Sequence, residues 1–162
     1  MAQYRDVEGW DADKLDTLPA SETDEFEYKS GRTPFKDLSQ KLQDAASAFW
    51  NSGGGYLVAG VGGDGVPDGG VSVQVGRQSL RDWVDQALAR VLPPGPYSVG
   101  VITSVRRGSL SSESGVLVVG FGVSRVGPHM GPDHRYHIRA GAHTVPAGHY
   151  LVEALRVHRG VV

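Results

Sequence analysis

Glu22 and Glu27 stand five positions apart in the run Ser21-Glu22-Thr23-Asp24-Glu25-Phe26-Glu27-Tyr28-Lys29, which crowds four acids and a lysine into residues 22–29. A third acid, Asp64, follows the next strand expected in the chain, with Asp68 four residues beyond it. Carboxylates gathered in this way hold hard divalent cations, and a cation so held polarises a phosphodiester and activates water. Lys29 beside them would stabilise charge developing on a phosphate. The same residues also read as a solvated, salt-bridged strand edge, and their spacing alone leaves both readings open.

A second group lies near the C-terminus. In His134-Arg135-Tyr136-His137-Ile138-Arg139 an alternating strand would turn Tyr136 and Ile138 to the core and leave Arg135, His137 and Arg139 together on the open face. Such a row suits contact with phosphates. His129, His134 and His137 have spacing compatible with a zinc site, but two neighbouring guanidinium groups argue against a cation there. Gly60-Val61-Gly62-Gly63-Asp64-Gly65 satisfies the pattern G-x-G-x-x-G, yet a dinucleotide cradle needs a helix to open at that point. A strand follows instead, so the glycines predict a hairpin loop.

These side chains must be positioned by the elements between them. Phe26 and Tyr28 alternate with charges and predict a strand over 22–29 that turns Glu25, Glu27 and Lys29 to one face. Leu38, Leu42, Ala45, Ala46 and Phe49 form the apolar stripe of a helix over 35–50, closed by Asn51 to Gly55. The continuous apolar run 56–61 predicts a central strand, and Val71, Val73 and Val75 another. A helix over 79–92, capped by Ser79, is stopped by Pro93-Pro94-Gly95-Pro96. Strands over 97–106, 115–124 and 134–140 and a last helix over 146–158 complete the series. The order predicts an α+β domain, a mixed β-sheet flanked by about three helices. Residues 1–20 read as an N-terminal arm with one weak helical turn in 11–15, residues 21–158 as the domain and 159–162 as a tail.

The 162 residues suffice for one domain with a real core. Without cysteines, disulfides and thiolate metal sites are excluded. No apolar run is long enough to span a membrane and no leader-like segment is evident, so a cytoplasmic location is expected. The net charge of −2 does not announce a nucleic-acid binder, but its distribution is uneven. Residues 1–45 carry 11 acids against 6 Lys and Arg, whereas residues 100–162 carry 3 against 7 and all six histidines. Such asymmetry fits two surfaces with different partners, or two ends that attract one another.

Four motifs in order resemble the Schlafen-type AlbA-2 domain family over roughly residues 20–158. They are Glu22-x-x-x-x-Glu27-Tyr28-Lys29; Ala48-Phe49-Trp50-Asn51-Ser52-Gly53-Gly54; Leu57-Val58-Ala59-Gly60-Val61 with its acidic turn; and Tyr136-His137-Ile138-Arg139-Ala140-Gly141-Ala142-His143-Thr144. The resemblance implies a nucleic-acid-binding domain and, as in the Schlafen proteins themselves, a metal-dependent endoribonuclease acting on structured RNA such as tRNA. Carried over, Glu22, Glu27 and Asp64 would hold Mg²⁺ or Mn²⁺, with Asp68 the fallback for Asp64. Lys29 would assist, and Lys29, Arg135, His137 and Arg139 would contact nucleic acid. Trp50 departs from the small residue usual at its position and demands extra room. A single lobe, where animal Schlafens join two, would need to dimerise or take a smaller target. A non-catalytic DNA- or RNA-binding module and a protein-interaction domain are the competing expectations.

Overall fold

In a computed structural model, which describes residues 5–159, the inner strand expected over 56–61 runs over Gly55–Ala59. The ends of the expected arm and tail, residues 1–4 and 160–162, lie outside the described residues. The elements run α1 (Ala12–Leu15), β1 (Phe26–Lys29), α2 (Phe35–Trp50), β2 (Gly55–Ala59), β3 (Asp68–Gly69), β4 (Val71–Ser72), β5 (Gln74–Val75) and β6 (Gln78–Ser79). There follow α3 (Leu80–Leu88), β7 (Tyr97–Ile102), β8 (Ser109–Leu110), β9 (Ser114–Phe121), β10 (His137–Ala140), β11 (His143–Pro146) and α4 (His149–His158). The α+β architecture is thus the one expected.

The main sheet is mixed. β1 runs parallel to β2, with Glu27 opposite Leu57 and Lys29 opposite Ala59. β2 and β7 both pair antiparallel with β9, and β4 adds a short antiparallel bridge to its start. Strand alternation divides the apolar residues between two faces. Leu57, Ala59, Leu117, Val119 and Phe121 meet α2 and α3 on one side. Val58, Val116 and Val118 meet Tyr28 and the N-terminal segment on the other.

That second face corrects the reading of residues 1–20 as an arm outside the core. Val7, Leu15 and Leu18 are buried there, and Trp10 packs on Tyr56 with ring centroids 5.1 Å apart. Apolar residues so sparse carry no periodicity, but the sheet's exposed back needs only a few to cover it.

Other boundaries shift for local reasons. The α3 helix has the expected Ser79 cap, whose hydroxyl accepts the Asp82 N–H, but it ends at Leu88 rather than 92. Leu92 precedes Pro93, which disfavours helix, and pairs with Met130 instead. The expected strand through Val71, Val73 and Val75 breaks in two because the Ser72 hydroxyl bonds the Gln74 backbone and bends the chain. α4 starts at His149 because Pro146 still belongs to β11, opposite His137. The loop 60–67 contains no helix. Gly62 N–H donates to Val66 O and Gly65 N–H to Gly62 O, the turn predicted in place of a dinucleotide cradle. Room for Trp50 comes from Gly95, where a Cβ would stand 2.4 Å from the indole, while Trp50 Nε1–H donates to Pro96 O.

Candidate functional site

β1 turns Phe26 and Tyr28 into the second core, where Phe26 stacks on Tyr56 and the Tyr28 hydroxyl donates to Pro19 O at 2.6 Å. Period two then forces Glu27 and Lys29 to the opposite face. Glu22 lies before the strand, but its Oε1 accepts the Tyr28 N–H at 2.8 Å, which folds its carboxylate back over β1. Burial and the neighbouring Glu22 carboxylate push the Tyr28 phenol up to about 12.

The facing wall comes from the C-terminal part of α2. Asp44, Ser47 and Asn51 follow one another at spacings of three and four and share a helix face. Their short polar side chains dock the later chain by its backbone. Ser47 Oγ donates to His129 O and accepts the His137 N–H. Asn51 donates to the carbonyls of His129 and His137 and accepts the His129 N–H at 2.7 Å. Ser52 Oγ accepts the Arg139 N–H. β10 is therefore fastened to a helix end, with β11 as its only strand partner among the described residues.

This docking inverts the alternation expected of residues 134–139. His137 is buried, and the Arg139 side chain is only 2% exposed. Arg135 is exposed. The three do not share an open face. The Arg139 Nη1 donates to Glu27 Oε1 at 2.6 Å and to Thr144 Oγ1, and its Nη2 to the carbonyls of Thr23 and Phe26. Its guanidinium lies over the Phe49 ring, 5.0 Å from the centroid. Thr144 Oγ1 in turn donates to Glu27 Oε1.

Between these walls lies a cavity of about 240 Å³ lined by Glu22, Glu27, Lys29, Lys41, Asp44, His137, Ala142, His143, Thr144 and Pro146. Of the residues singled out in the sequence, Glu22, Glu27, Lys29 and His137 meet there. Lys29 Nζ stands 4.0 Å from Glu27 Oε2. Asp64 does not line the cavity; it is exposed in the 60–67 loop, where its Oδ1 accepts the Val66 N–H. Asp68 is committed elsewhere, accepting from the Ser30 hydroxyl and the Gly31 N–H.

Asp44, Lys41, His143 and Thr144 line the same cavity and were not singled out by sequence reasoning. The Asp44-x-x-Ser47-x-x-x-Asn51 stripe was the available signal for the first. Burial is the main cause raising the Asp44 carboxyl above the usual range; Asp133 and Glu27 add to it, whereas His137 and Lys41 oppose it. The spacing of His129, His134 and His137 gathers no site. His129 is fully buried, its Nδ1 against Pro93 O and its Nε2 against Ser124 Oγ. Burial lowers its pKa, and the ring ties two loops together rather than joining His134 and His137 as a ligand.

The family model described as Schlafen, AlbA_2 matches residues 22–148. No curated protein matches the chain. Among solved structures, the DIP2311 protein from Corynebacterium diphtheriae resembles 82% of this chain at 14% identity and a TM-score of 0.52, a likeness of fold. The chain spans 25% of that protein's length. Among the described residues, no helix is long and apolar enough to cross a membrane.

Proposed function

The chain belongs to the Schlafen AlbA_2 family, and on that premise we propose that it acts on nucleic acid as a metal-dependent endoribonuclease, with structured RNA such as tRNA as its substrate. The observation that carries this reading is the convergence of Glu22, Glu27 and Lys29 on one polar cavity. A phosphate entering it would meet two lysines, Lys29 and Lys41, beside the carboxylates.

The donor set suits Mg²⁺ or Mn²⁺. Each glutamate has one oxygen engaged by the protein, Glu22 Oε1 by the Tyr28 N–H and Glu27 Oε1 by Arg139 and Thr144, which leaves a second oxygen on each. Small hard cations are commonly held by one or two carboxylates, with water and substrate phosphate completing the shell. Asp64 is not needed for such a site. The bound cation would supply Lewis acidity and an activated water. Arg139 and Thr144 hold Glu27 in one orientation, Lys29 balances its charge, and Lys29 with Lys41 would position the phosphate.

A non-catalytic binding module is the second reading, favoured by the buried pairing of Glu27 with Arg139. Incubation of tRNA and single-stranded DNA with the protein, in Mn²⁺ or in EDTA and beside Glu22→Gln, separates the two. Metal-dependent fragments that vanish in the variant support cleavage. Intact nucleic acid with salt-sensitive binding supports the binding module, and absence of any binding overturns both.

A further inference from the structure

We propose that Asp44, Asp133 and His137 form a second metal site, distinct from the strand glutamates, that takes a borderline first-row divalent cation of the Zn²⁺ type. One ligand atom from each residue lies within 4.8 Å of the other two. They come from three separate places: the middle of α2, the 131–135 turn and the start of β10.

The second observation is His137 itself. Its side chain is 8% exposed, and its Nδ1 has no hydrogen-bond partner among the described residues. A buried polar atom is ordinarily satisfied, because leaving it bare costs about 1–3 kcal/mol. Nδ1 faces Asp44 Oδ1 at 3.9 Å, too long for a hydrogen bond. Two metal–ligand bonds of roughly 2.0–2.2 Å span about 3.4 Å at a tetrahedral angle, so His137 and Asp44 need close by only about half an ångström, and Asp133, within 4.8 Å of both, by up to about 1.4 Å. Asp133 is exposed, so no packed neighbour has to be displaced for its carboxylate to turn toward the other two.

The backbone around the site is already built. Ser47 and Asn51 hold the His137 peptide against α2, one turn of helix from Asp44. Asp133 Oδ1 accepts the Arg135 N–H, which fixes its turn and leaves its other oxygen for a cation. The nitrogen donor selects against Mg²⁺ and Ca²⁺, which prefer all-oxygen shells, and favours metals that accept imidazole. The neighbouring guanidinium groups that argued against zinc in the sequence are not in the way: Arg139 is spent on Glu27, and Arg135 is exposed. Two close carboxylates also repel one another unless a cation lies between them.

An ion here would pin the 131–137 segment to α2. Asp44 and His137 also line the cavity, so its charge would help admit a phosphate. The site stands on its own geometry and does not depend on cleavage.

Calorimetric titration of the full chain with Zn²⁺, with Mg²⁺ as contrast, tests it. The expected result is one Zn²⁺ per chain and a rise in melting temperature with added Zn²⁺. Affinity should fall at least about tenfold in Asp133→Asn and His137→Gln and by much less, within about threefold, in Glu22→Gln/Glu27→Gln, whose charges act on the site only through the shared cavity. Asp133→Asn is the variant of record should the buried His137→Gln fail to fold. Long-range ¹H–¹⁵N spectra should show the His137 Nδ1 resonance shift on Zn²⁺ addition. No Zn²⁺ binding, undiminished affinity in Asp133→Asn, or loss confined to the glutamate variant would overturn the proposal.

Discussion

Replacing Arg139 by Met removes a cation from beneath β1 and leaves Glu27 buried. The carboxylate would keep Thr144 Oγ1 at 2.9 Å and Lys29 Nζ at 4.0 Å, but lose the 2.6 Å bond from Nη1. The carbonyls of Thr23 and Phe26 would lose their Nη2 donor. Breaking a buried pair by removing one partner costs about 3–5 kcal/mol, because the remaining charge is uncompensated. Methionine preserves much of the contact with Phe49, so the loss is chiefly electrostatic. Glu27→Gln alone should cost less, about 1–3 kcal/mol, since the amide oxygen still accepts from Arg139 and Thr144. In the double variant neither charge is stranded, and the sum of the single losses should shrink by about 2–3 kcal/mol. Urea denaturation of the four proteins, at constant m-value, measures the cycle. A coupling below about 0.5 kcal/mol would refute the reading of Glu27 and Arg139 as a buried, mutually compensating pair.

Gly95→Ala should destabilise the protein by about 1–3 kcal/mol, because its Cβ meets the Trp50 ring at 2.4 Å; a denaturation curve superposing on the parent would contradict that packing. The Tyr28 phenol, pushed up to about 12, is neutral in the fold at a pH where the unfolded chain ionises. Its raised pKa contributes stability in full below about pH 10 that is lost as pH climbs toward 12, about 3 kcal/mol in all. The slope of stability against pH over that window should be shallower in Tyr28→Phe, and equal slopes would reject the assignment. Asp64→Asn keeps an oxygen for the Val66 N–H, so stability should change by less than about 0.5 kcal/mol and cleavage by less than about twofold. Lost cleavage on a gel, with melting unchanged, would return Asp64 to the site.

The helix over 35–50 was legible to the residue because five apolar positions share one stripe and Asn51 follows it. The acidic strand was legible in its facing, with Phe26 and Tyr28 inward and Glu27 and Lys29 opposite, because both sides of β1 have a definite environment. The failure at 134–139 has one physical source. Alternation says which residues share a face, but not which face is covered, and β10 is covered by α2 through Ser47, Asn51 and Ser52. Asp44 escaped notice for a related reason: a lone acid on a helix's polar side looks solvated until another segment docks on that side. Asp64 was placed by its rank after β2, whereas the 60–67 loop carries it away from the cavity lining.

The single-turnover rate of RNA cleavage in Mn²⁺, measured for the parent and for Glu22→Gln at matched RNA affinity and melting temperature, bears most directly on the role given to the cavity. If Glu22 holds the metal as proposed, its removal should lower that rate by at least about 100-fold, a change of about 2.7 kcal/mol in the barrier, while RNA affinity stays within about threefold. Equal rates in the two proteins would contradict the assignment of cleavage to the Glu22–Glu27 pocket.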